Sequence, residues 1–239
     1  VLTSLIGFIY LTFIPGTLIL RNLQLKNLSS IESLLYTVGL SITTLMFTGF
    51  IINLIFPVFG ILKPLSPQNI LISITFLVVF LSFLSYIRDD GYNRTEYLNI
   101  ENPKLASFLI LIPFFIIIGA YLMNFYNIYL LTLILLVIIS LISILSLSRF
   151  FKPSLYPLII FIVSISLLYH NSLISMYIWG WDINLELYLS NLVIQNAYWI
   201  PTINTNTNSM LSIVILAPIY SSICNISVEW VFKVIYPFL

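Results

Sequence analysis

Asp182 and Glu186 stand four residues apart in a chain with only eight acidic residues among 239. On a helix that spacing puts them one turn apart, with Cβ atoms about 5–6 Å from each other. Two carboxyl groups sharing a small volume can separate their proton affinities, and one can then act as general base. Both lie in the segment from Ser175 to Met210, which contains no Lys or Arg. A plainer reading stays open beside this one. Asp182 can be the N-cap of a helix and Glu186 an early residue favoured by the positive end of its dipole. His170, Tyr188, Asn204 and Asn208 are the further candidates, for substrate contact. His170 can meet a phosphate or move a proton. The uncharged tract Thr202–Ser209 can hold sugar hydroxyls or simply form a turn-rich loop.

The element expected to position the acids is a short amphipathic helix on the membrane surface, from Ile183 to Asn196. Its apolar residues Leu185, Leu189, Leu192 and Val193 recur at helical spacing, with Asp182, Glu186, Ser190 and Asn191 on another side. Trp179 and Trp181 precede it, as aromatic rings do at headgroup level.

Everything around that segment reads as membrane helix. The chain is 60% hydrophobic and 7% charged, with a mean hydropathy of +1.10, whereas soluble domains carry about 25% charged residues. A net charge of +1 argues against nucleic acid. The single cysteine, Cys224, allows neither an internal disulfide nor a cysteine metal site. No metal ligand set is assigned and no cofactor is certain. The paired Asp89 and Asp90 leave a divalent metal open, although their loop balances acids against bases and reads as solvated. Apolar runs near the length of about 20 residues needed to span occur at 1–20, 31–56, 70–87, 105–123, 128–147, 155–174 and 211–226. An eighth begins near Trp230. The expected fold is therefore all-α: a polytopic bundle of seven spans and the start of an eighth, read as a fragment of a longer chain.

Basic residues set the expected orientation. Arg21, Lys26, Arg88, Arg94, Lys104, Arg149 and Lys152 fall in the first, third and fifth loops, and only Lys63 falls in the second, fourth or sixth. The positive-inside rule then puts the odd loops in the cytoplasm and the acidic loop 175–210 outside a cell membrane. Lys233 is expected to agree, on the cytoplasmic side.

Two stretches resemble known families. Phe13-Ile14-Pro15-Gly16, followed by Ile31-Glu32-Ser33 and Val38-Gly39-Leu40-Ser41, is similar to the start of archaeal multi-pass membrane proteins of unknown function. Trp181 through Tyr188, continuing to Asn208-Ser209-Met210-Leu211-Ser212, resembles another such family and also the opening of a GT-C membrane glycosyltransferase. The second resemblance implies residues 1–154 as an N-terminal five-span region and 155–239 as the start of a GT-C-like core, with Asp182 at the position of the external acidic residue. It also implies transfer of a sugar from a polyprenyl-phosphate donor at the outer face, with membrane lipids and that lipid-linked sugar as partners. The chain departs from the pattern by its five extra spans and by stopping before the later helices. A non-catalytic membrane scaffold or assembly subunit is the alternative. A transporter fits less well, because no ionisable residue is expected near a span centre.

Overall fold

The computed structural model describes residues 2–25, 28–88, 103–148 and 150–239, and the protein is a polytopic helix bundle with no strand among them. Lys26, Asp89, Asp90, Arg94, Glu96, Glu101 and Arg149 lie outside the described residues. The helices are α1 (Leu2–Asn22), α2 (Ser30–Ile55), α3 (Pro67–Arg88), α4 (Pro103–Tyr126), α5 (Leu130–Leu147), α6 (Tyr156–Leu173), α7 (Trp181–Asn196) and α8 (Ala217–Cys224). A π-helical turn, Ser212–Leu216, leads into α8, and a last helical stretch covers Val228–Phe238. Apolar runs take this form in lipid because a helix satisfies its own backbone. The carboxylate at the head of α2, Glu32, is explained locally. It accepts from Ser29 N at 2.8 Å while Ser29 Oγ accepts from Glu32 N, a capping box that starts α2.

Six helices, α1 to α6, are long and apolar enough to cross a membrane, or up to seven if Ser212–Cys224 and Val228–Phe238 are taken together as one bent span. The seventh expected span, 211–226, and the start of an eighth are therefore not separate crossings. The stretch Ser212–Cys224 is about 20 Å long at 1.5 Å per residue, short of a hydrocarbon core of about 30 Å.

The chain forms two compact units, Val1–Tyr97 with Gly180–Val231, and Leu98–Trp179 with Phe232–Leu239. In the first, α1 and α2 run antiparallel in close contact. Gly16 N donates to Ser41 Oγ at 2.8 Å, and a Cβ at Gly16 would strike the Thr37 carbonyl. That register sets Gly7 level with Gly49. Ile215 and Ile219 pack on Gly49, and Cys224 packs on Gly7. The π turn and α8 thus lie across the α1/α2 pair at one depth, about 8 Å in from the Leu2 end. They do not run along it. The Tyr220 side chain reaches deeper, to a hydrogen bond of 2.9 Å with Thr12 Oγ1.

In the second unit, α4, α5 and α6 share a core that includes Leu109, Ile112, Ile116, Leu135, Ile139, Ile162, Ile165 and Tyr169. Asn124 Nδ2 donates to Leu173 O at 2.9 Å, which places the end of α4 beside the end of α6. Lys233 belongs to that same end. Its Nζ donates at 2.8 Å to the carbonyls of Ser175 and Met176, and Ser172 Oγ donates to Lys233 O at 2.8 Å. This corrects the grouping of Lys233 with the cytoplasmic cations, because Lys104 stands at the opposite end of α4. The reason is local: carbonyls freed where α6 unwinds attract a cation.

Candidate functional site

The acidic pair sits at the start of α7, in the first unit. Gly180, at φ 135°, is the N-cap and makes no side-chain cap bond. A glycine takes that conformation without the clash a Cβ would bring. Helix α7 thus begins at Trp181, so Asp182 is a first-turn residue and not the N-cap that the plainer reading assigned. Asn184 Nδ2 donates back to the Gly180 carbonyl. Asp182 is exposed and Glu186 is half-buried. The Glu186 carboxyl is held above its ordinary range, first by burial and then by the negative charge of Asp182 one turn away.

The buried face of α7 differs from the expected one. Leu189, Ser190 and Val193 are buried while Leu185 is 41% exposed. Glu186 and Ser190 therefore continue the packed stripe, and Leu185 joins the outer face with Tyr188. The cause lies in another element. In the π turn each N–H pairs five residues back, as Ala217 N does with Ser212 O. Pro218 comes next and has no N–H, so the Ile213 carbonyl loses its partner. Ser190 Oγ supplies one, reaching Ile213 O at 2.9 Å and Glu186 O at 2.8 Å. A hydroxyl buried for this purpose turns the helix about its axis, and Glu186 turns inward with it.

The loop after α7 is tied down by amides. Ala197, at φ 51°, ends the helix, and its carbonyl accepts from Leu65 N at 2.8 Å. Asn53, fully buried near the end of α2, brackets the Trp199 backbone: its Oδ1 accepts from Trp199 N at 2.9 Å and its Nδ2 donates to Trp199 O at 3.0 Å. The Trp199 indole N–H reaches Asn208 O and Oδ1 at 3.1 and 3.2 Å. Asn208 Nδ2 donates to the carbonyls of Ile200 and Ile203 at 2.9 and 3.1 Å. The Asn208 side chain is thus engaged within the loop, whereas Asn204 is exposed at its surface.

Tyr188 is 61% exposed and Trp181 is 96% exposed on the outer side of α7. Lys63, also exposed, stands on the connection between α2 and α3 at this end of the unit. His170 belongs to the other unit, half-buried on α6. Among the described residues no group of three or more His, Cys, Asp and Glu side chains stands together.

Asn53 shapes this end of the unit without having been singled out in the sequence, and Ser190 was read only as part of a polar side. Asn53 carried a signal, an amide inside an apolar run. Ser190 carried none apart from Pro218. Compared with family models, with curated proteins and with solved structures, the chain matches none.

Proposed function

We propose that the protein is an integral membrane glycosyltransferase, which moves a sugar from a polyprenyl-phosphate donor to an acceptor at the outer face of a cell membrane. One observation supports this most: Asp182 and Glu186 are stacked on one side of α7, one open to solvent and the other half-buried. In this reading Asp182 takes the proton of the acceptor hydroxyl as its oxygen bonds to the anomeric carbon. The carbon–oxygen bond to the phosphate breaks, and its electron pair leaves with the lipid phosphate. Glu186 orients the base or the acceptor. Lys63 is the cation at this end of the unit available to the phosphate, Tyr188 and Asn204 offer the exposed sugar contacts, and Asn208 holds the loop that presents them. The resemblance of residues 155–239 to the start of a GT-C core points the same way.

The test uses the full-length protein in bilayers supplied with polyprenyl-phosphate sugar. Asp182→Asn should lower transfer by about 10²–10⁴-fold, the usual worth of a general base. Unchanged turnover in that variant would remove Asp182 from the chemistry. Purification with a stoichiometric protein partner and no lipid-linked sugar would favour the scaffold reading.

A further inference from the structure

Hydroxyls inside the spans of this protein mostly satisfy themselves. Thr17, Thr43, Ser82, Ser140 and Ser143 each donate to the carbonyl four residues back, at 2.7–2.9 Å. Ser166 on α6 does not. It is fully buried, and its Oγ has no hydrogen-bond partner. One turn further along α6, His170 Nδ1 is likewise buried without a partner. Thr132 Oγ1 shares that state, but it is packed under α4, where a Cβ at Gly119 would stand 2.8 Å away.

Residues four apart on a helix have Cβ atoms about 5–6 Å apart on the same side. A water that bridges two polar atoms through hydrogen bonds of about 2.8 Å holds them roughly 4.5–5 Å apart, within reach of side chains one turn apart. A buried polar atom left alone costs about 1–3 kcal/mol, and buried waters settle where two to four such atoms converge. We propose that Ser166 Oγ and His170 Nδ1 bracket a buried water-binding site near the Leu173 end of α6. His170 as a whole is half-buried, so its ring connects that water to the protein surface. The water accepts from Ser166 Oγ and pairs with His170 Nδ1. This site lies in the second unit and stands independently of the transfer chemistry assigned to Asp182.

The chain contains one histidine, so ¹⁵N-histidine labelling of the full-length protein in bilayers gives one pair of ring signals. Magnetisation transfer from water should reach Nδ1 in the wild type, be lost in Ser166→Ala, and return in Ser166→Thr. Ser166→Cys, close in volume and a weak donor, gives the same reading should the alanine variant fold poorly. The proposal is overturned if the wild type shows no transfer, if Ser166→Ala shows it undiminished, or if Nδ1 is reached from lipid phosphorus instead of water.

Discussion

Glu186 shows how one buried hydroxyl can set the chemistry of a neighbouring acid. Ser190 is drawn inward by a carbonyl that Pro218 leaves without a donor, and Glu186 shares its stripe. Burial and the Asp182 charge then both raise the Glu186 carboxyl. The sign of the consequence is fixed. An acid whose folded value is raised opposes folding while ionised, and stability returns as pH falls through that raised value. Glu186→Gln should therefore be more stable than the wild type at neutral pH. The two should converge as pH falls into the ordinary carboxylate range, and midpoints from denaturation across that pH series would show it. Equal midpoints at neutral pH would mean the carboxyl is not desolvated. Asp182→Asn should also lower the Glu186 titration midpoint, read by ¹³C chemical shift, because the repulsion is gone.

The elements were legible in the sequence wherever hydropathy alone decides them. The six long runs became α1 to α6 because lipid leaves the backbone no other arrangement. The run at 211–226 is buried in protein as well, so its apolarity does not by itself mark a separate crossing. Ile213 through Ser221 are all buried, and length separates such a helix from a span better than composition does. The face of α7 was misread because the decisive partner, the Ile213 carbonyl, is a backbone atom more than twenty residues away. Packing between α1 and α2 makes a sharper prediction. Gly16→Ala would drive a Cβ into the Thr37 carbonyl and crowd Ser41 Oγ, costing about 1–3 kcal/mol as overpacking does. A Cβ added at Gly39 would meet nothing within 4 Å, so Gly39→Ala should leave stability unchanged or slightly improved. Thermal denaturation in detergent of both variants checks the pair, and equal losses would contradict the close crossing.

At the scale of the molecule, the positive-inside rule reads an expected orientation from the cations. Of the nine Lys and Arg residues, seven fall in the first, third and fifth loops of the sequence, a strong bias under the positive-inside rule. Topology then depends on whether the stretch from Ser212 to Cys224 crosses the membrane. Its contacts with Gly49 and Gly7 at one depth lay it across the α1/α2 pair, as a segment that enters and turns back would lie. A re-entrant backbone is tolerated only where protein surrounds it, and α8 meets that condition because Ala217 to Ser221 are all buried. The native thiol of Cys224 is fully buried, so single cysteines can be added against a quiet background. Asn204→Cys should react with an impermeant thiol reagent in intact cells, and Lys152→Cys only after the membrane is opened. Ser227→Cys, just past the end of α8, decides between the two paths. A turned-back segment makes it react from the same side as Asn204→Cys, whereas a crossing helix would make it react from the side of Lys152→Cys. Labelling from the Lys152 side would restore a seventh span and separate the C-terminal stretch from the face that carries the acidic pair.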